Sequence, residues 1–187
     1  MVVQEREAGN SLARYIAEVR AVWGDGHEGH EPQLPYKVAA LMEKLFASTN
    51  PDDPWMAELM REGKPSRELY RDSELGFIQM GHIHQQGHGN KPHDHGPCWV
   101  VYGSYKGVTE ITKYQRTDDG SEQGVARLQP ERVDRLTPGV VVPYLPGEIH
   151  STHAIEGPGV VFRFLCYDLD KIDRYRYNLE KQTVVKV

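Results

Sequence analysis

The sequence predicts a mainly β protein, a barrel of short strands under a cap of N-terminal helices, folded as one domain over 1–187. Three observations carry that expectation. Apolar residues recur with helical spacing through the first third of the chain, the period changes to two from about Leu75, and Gly, Pro and Asp clusters punctuate the second region. Many short strands with such punctuation make a sandwich or a barrel. A length of 187 residues suits one domain with a sizeable core. We place the cap at 1–70 and the barrel at 71–187.

In the cap, Leu12, Tyr15, Ile16, Val19, Val22 and Trp23 fall on one helical face, with Asn10 or Ser11 as the cap and Gly24 as the stop. A loop, DGHEGHEPQLP from Asp25, follows. Val38, Leu41, Met42 and Leu45 repeat the spacing in a second helix. The third starts at Asp52-Asp53-Pro54, which offers side-chain acceptors and then a residue with no N–H to satisfy. Trp55, Met56, Leu59 and Met60 give it an apolar face, and Gly63 ends it. The strand candidates are GFIQMGHI, CWVVYGSY, VTEITKYQ, VARL, GVVVPYL, GVVFRFLCYDL and TVVKV, with a hairpin at Asp118-Asp119-Gly120.

Composition narrows the function classes. A formal net charge of −5 with no long basic run argues against nucleic acid and anionic membrane surfaces as partners. No apolar run is long enough to cross a bilayer, and MVVQEREAGN at the start lacks a secretory pattern. Cys98 and Cys166 would be two isolated thiols of a cytoplasmic protein or, alternatively, one disulfide. Nine histidines is the unusual count, and most lie between His82 and His153.

His93 and His95 stand at i and i+2, which in an extended segment sends both imidazoles to one face. Pro146-Gly147 forms a turn, and His150 opens a strand that could sit opposite. His153 is the alternative third ligand. The segment Gly87 to Gly107 resembles the first motif of the cupin family: Gly87, His93-Asp94-His95 and Gly107 match its landmarks, with Val100 where the family has glutamate. Gly139, Pro146-Gly147 and His150 resemble the second motif, with Ala154 in place of its asparagine. The resemblance covers roughly Gly87 to Ala154 and implies a double-stranded β-helix, or jelly-roll, barrel.

Three histidines without the carboxylate resemble, within the cupins, the thiol dioxygenases, of which cysteine dioxygenase is the best known. That resemblance implies one divalent metal, Fe2+, on His93, His95 and His150; Ni2+ and Zn2+ also suit three imidazoles. It carries the carboxylate-gripping arginine onto Arg67 and the active-site tyrosine onto Tyr167, and Gly87-His88-Gly89 matches the family's Gly-His-Gly. The chain departs from the family at Arg163 and Leu165, which replace a serine and a histidine, at Pro65, which replaces a tyrosine, and at Val100, which leaves no cysteine for a thioether crosslink. These departures imply a divergent relative with a different substrate.

The expected function is that of a mononuclear non-heme iron dioxygenase adding O2 to a small thiol-bearing carboxylate such as cysteine or 3-mercaptopropionate. The alternatives are a three-histidine cupin acting on another substrate (β-diketone cleavage, isomerisation or hydrolysis) and a non-catalytic metal- or ligand-binding cupin. Three neutral ligands leave the full charge on the metal, which favours a bound thiolate. The partners expected are a small-molecule substrate and O2, with a homodimer through paired barrel edges. Tyr102 shares a face with Cys98 and Val100 and would line the pocket, while Trp99 would point under the helices. Cys98 itself reads as a small buried apolar residue. His27, His30, His82, His84 and His88 read as structural or surface residues, the last two near enough to support the site.

Overall fold

A computed structural model describes residues 10–24, 29 and 31–187. Met1 to Gly9, His27 and His30 lie outside the described residues. Three helices open the described chain: α1 (Ser11–Trp23), α2 (Leu34–Ser48) and α3 (Pro54–Glu62). Asn10 caps α1 by accepting a hydrogen bond from the Ala13 N–H at 3.3 Å. Asp53, expected to cap α3, makes no side-chain cap bond. Its carboxylate accepts instead from the Ser11 hydroxyl at 2.6 Å, joining α3 to the start of α1.

The strands are β1 (Arg67–Arg71), β2 (Ile78–His84), β3 (Val100–Arg116), β4 (Leu128–Leu136), β5 (Val141–Tyr144), β6 (Ile149–Leu165), β7 (Tyr175–Asn178) and β8 (Thr183–Lys186). The barrel therefore opens at Arg67, inside the stretch assigned to the cap. CWVVYGSY and VTEITKYQ, expected as separate strands, join into the 17-residue β3. The Asp118 segment is a longer loop between β3 and β4, in which the Asp118 carboxylate accepts from Arg116 and from the Gly120 N–H. β1, β4 and β7 lack the alternating apolar pattern and were not among the expected strands; β4 is largely exposed.

The long strands β3 and β6 build the double-stranded β-helix. They pair along nearly their whole length, with register shifts between Ser104 and Thr109 where β3 bends from one wall to the other. Their first and last halves, respectively, join β1, β2 and β5 in one wall, ordered β1-β2-β6-β3-β5. The other halves pair with each other and with β4 in the second wall. That second wall continues through backbone bridges from His150 to His93 and from His93 to Arg176, so the His-x-His segment is inserted between β6 and the β7–β8 hairpin.

The first wall is buried on both faces. Outward, Phe77, Trp99, Phe162 and Phe164 pack against Trp23, Phe46 and Trp55 of the helices. Trp99 points under the cap, its indole N–H donating to the Gly29 carbonyl at 2.6 Å. A Cβ at Gly103 would meet the Phe46 ring at 2.7 Å, so α2 rests directly on the backbone of β3 there. Inward, the alternate residues Ile78, Met80, Arg163 and Leu165 face a cavity between the walls. The largest apolar core thus lies between cap and barrel, which leaves the barrel interior free to hold a site.

Candidate metal centre

The backbone brings the histidines together. His93 and His150 exchange N–H···O=C hydrogen bonds of 3.0 and 2.9 Å, which sets their side chains next to each other on one face. His95, two residues on, shares that face. One ligand nitrogen from each of His93, His95 and His150 lies within 4.8 Å of the other two. No other cluster of three metal-ligating side chains occurs among the described residues. His153 lies outside this cluster and is exposed.

Orientation is fixed from behind. His93 Nδ1 is 3.0 Å from the Lys91 carbonyl and His150 Nδ1 is 3.2 Å from the Glu148 carbonyl. A carbonyl only accepts, so each Nδ1 carries the proton and each Nε2 presents its lone pair. Burial is the main cause that lowers the His93 pKa to about 4, and burial with neighbouring imidazoles and Arg163 holds His95 and His150 well below the usual histidine range. All three are therefore neutral imidazoles at pH 7. The donor set suits one divalent transition metal: three imidazoles, no carboxylate and a neighbouring cavity for further ligands.

Asp94 points away from its two neighbours. Its buried carboxylate accepts from the N–H groups of Gly96 and Tyr175, both at 3.0 Å, and from the Tyr177 hydroxyl at 2.8 Å. These bonds hold the His-x-His segment against the C-terminal hairpin. On the other side, the Tyr144 ring lies 4.6 Å from the His150 ring and its hydroxyl donates to Asp134 at 2.6 Å.

The cavity beside the histidines measures about 580 Å³, and His93 and His95 line it. Arg71, Lys91, Arg163, Arg174 and Arg176 contribute positive charge to its walls, against Glu68, Asp168 and Asp170. Arg71 is committed to Glu68 and Asp168 at 2.7 and 2.6 Å. Arg163 differs: among the described residues it has no ion pair, and its buried Nε has no hydrogen-bond partner. It sits opposite Tyr102 in the register of β3 and β6. The buried Tyr102 hydroxyl stands 3.3 Å from His150 Nε2. Burial raises the Tyr102 pKa, with Arg163 opposing, and the phenol stays protonated.

The structure does not bring Arg67 or Tyr167 to the histidines. Arg67 lies on β1 with its guanidinium 3.2 Å from Glu58 and 3.3 Å from Glu62, outside the cavity lining. Tyr167 follows the end of β6, is 45% exposed and lies over Gly76 rather than in the cavity. Both follow from the strand faces. Arg67 leaves the edge strand toward α3, and the inward face of β6 passes through Arg163 and Leu165, after which the chain leaves the sheet. Sequence reasoning placed Tyr102 on the inner face and missed Arg163 as a cavity residue. The available signal was one cation in the otherwise apolar run VVFRFL.

His82, His84 and His88 form a second group in which the His84 and His88 rings stack at 4.3 Å. His82 and His84 sit on β2, on the inward face, and His82 Nδ1 donates to the Pro65 carbonyl at 3.0 Å. Burial, then the charge of Arg163, lowers the His82 pKa to about 3; burial, then His88 and Arg163, lowers that of His84 to about 4. Val100 is a buried apolar residue.

No protein-family description matches the sequence, and no curated protein does. The fold is similar to solved structures at low identity. KdgF from Halomonas sp. aligns over 57% of this chain and 83% of its own at 15% identity and a TM-score of 0.43. A cupin superfamily protein from Desulfitobacterium hafniense aligns over 55% and 76% at 13% identity and 0.40. DMSP lyase DddQ from Ruegeria pomeroyi aligns over 57% and 48% at 17% identity and 0.41. No helix among the described residues is long and apolar enough to cross a membrane.

Proposed function

We propose that this protein is a mononuclear non-heme iron dioxygenase that adds O2 to a small thiol-bearing carboxylate. One observation carries the reading: three neutral imidazoles converge, without a carboxylate, beside a cavity that contains the unpaired guanidinium of Arg163. Fe2+ held by His93, His95 and His150 would keep its full charge, favour the thiolate of a bound thiol and supply the one-electron chemistry that O2 requires.

The chain's own residues do the rest. Arg163 takes the role expected of Arg67, accepting the substrate carboxylate on its fork and fixing the end of the substrate remote from the thiol. Tyr102 takes the role expected of Tyr167, holding a protonated donor where charge accumulates on oxygen. The two walls and the segment 168–176 narrow the access of water to the reacting groups.

The test is metal content by elemental analysis together with oxygen uptake on iron-reconstituted protein, with cysteine, 3-mercaptopropionate, mercaptosuccinate and a β-diketone as substrates. Stoichiometric iron and uptake on one thiol supports the proposal. Uptake on the β-diketone alone would move the assignment to carbon–carbon cleavage, and full iron occupancy without any uptake would remove it. If Arg163 grips the carboxylate, Arg163→Met lowers kcat/KM roughly 10–100-fold, mainly through KM, as expected for a lost charge-assisted hydrogen bond. Arg67→Ala then leaves kcat/KM within about a factor of two.

A further inference from the structure

Cys98 and Cys166 are both buried, and their sulfur atoms are in contact at 2.9 Å. They stand 68 residues apart in the sequence. Cys98 precedes β3, its N–H donating to the His95 carbonyl at 3.0 Å, and Cys166 follows β6 directly after Leu165. The pairing of Val100 with Leu165, and the Cys166 N–H on the Trp99 carbonyl at 3.3 Å, fixes the two segments side by side. Neither sulfur belongs to a cluster of three metal-ligating groups. The thiols have been placed together by the backbone, with no ligand duty among the described residues.

We infer that Cys98 and Cys166 form a modification site, a dithiol that a small hydroperoxide converts to an intramolecular disulfide. The sulfur of one residue, as thiolate, attacks a peroxide oxygen; the O–O bond breaks, the sulfur becomes a sulfenic acid and, with hydrogen peroxide, one water leaves. The second sulfur attacks the first, the S–O bond breaks, and a second water leaves with the remaining thiol proton. The protein gives up two electrons and two hydrogens, and the peroxide is reduced to two waters. Contact between the sulfurs makes the second step faster than further oxidation of the first sulfur by another peroxide. The new bond ties the loop that carries His95 to the end of the strand that carries Arg163, across one wall of the cavity. This inference stands on the thiol geometry and is independent of the metal's chemistry.

The experiment exposes the folded chain to hydrogen peroxide, quenches it in denaturant with an alkylating agent and reads the intact mass. The expected product is a chain two hydrogens lighter with no alkylated cysteine, returned to the doubly alkylated form by dithiothreitol. Its peptides pair Cys98 with Cys166, and its melting temperature lies several degrees above that of the reduced chain. In Cys166→Ser the lighter species is absent and Cys98 accumulates oxygen instead. Two cysteines still fully alkylated after the folded wild-type chain has met an excess of peroxide would overturn the inference. So would oxygen adducts on single cysteines without a bond. The wild-type mass decides the matter even if the variant does not fold.

Discussion

Asp94 stands between two candidate ligands and serves both by pointing the other way. Its carboxylate satisfies three donors in a buried position, so its removal leaves Gly96, Tyr175 and Tyr177 donors unpaired. Asp94→Ala should cost on the order of 3 kcal/mol of stability and lower metal affinity roughly 10–100-fold, read by urea unfolding and by competition with a chromophoric chelator. His82 governs a separate property. Its folded pKa of about 3 is far below that of an exposed histidine. As pH falls below about 6.5 the unfolded chain binds a proton that the folded chain refuses. The stability held by neutral His82 is therefore complete above that pH and is lost progressively down to about 3. His84 acts in the same direction. His82→Gln should flatten the slope of unfolding free energy against pH between 6 and 4 by up to one proton, and an unchanged slope would show that His82 is not held neutral. The cluster of three histidines was legible from sequence because two of them are local neighbours on one extended segment and the third follows a Pro-Gly turn. Arg163 was not, because its place in the cavity depends on the register of β6 against β2 and β3, a pairing between distant segments.

The elements that hold the site differ in how plainly they were written. The helices could be read residue by residue, since each shows one apolar face at helical spacing, and α1 and α3 end at Gly24 and Gly63. β4 could not: an edge strand with most of its side chains in solvent has no apolar alternation to display. The hairpin β7–β8 was partly visible in TVVKV, but its contact with the His-x-His segment was invisible without the fold. Gly96 shows how tight that contact is. It has φ of +55°, and a Cβ there would stand 2.1 Å from the Asp173 carbonyl oxygen, on backbone that leads into β7. Gly96→Ala should destabilise the protein by about 2 kcal/mol or more, the sum of left-handed strain and displaced backbone, and reduce metal occupancy through His95. Gly87→Ala is the control, because Gly87 also has positive φ, +81°, but open space around it. It should lose only about 1 kcal/mol and keep its metal. Equal losses in the two variants, by chemical denaturation, would show that the hairpin contact contributes nothing.

Across the whole molecule, the helices pack outside the first wall, and the cavity and candidate ligands lie between the two walls. A metal on His93, His95 and His150 would bridge segments far apart in sequence and would bind the folded chain only. Its addition should raise the melting temperature by an amount that grows with metal concentration, and a chelator should reverse this. His150→Ala should remove that dependence while leaving the metal-free melting temperature within several degrees. A metal-independent melting temperature in the wild-type chain would mean that the three nitrogens do not bind as a unit. His93 also hydrogen-bonds through its backbone to His150, and its segment is bridged to Arg176. Both partners come later in the chain. A nascent chain on the ribosome would hold the His-x-His segment without its neighbours until residue 176 had emerged, so metal capture follows that point of synthesis. A cell that loads this protein would have to supply the ion to a finished barrel.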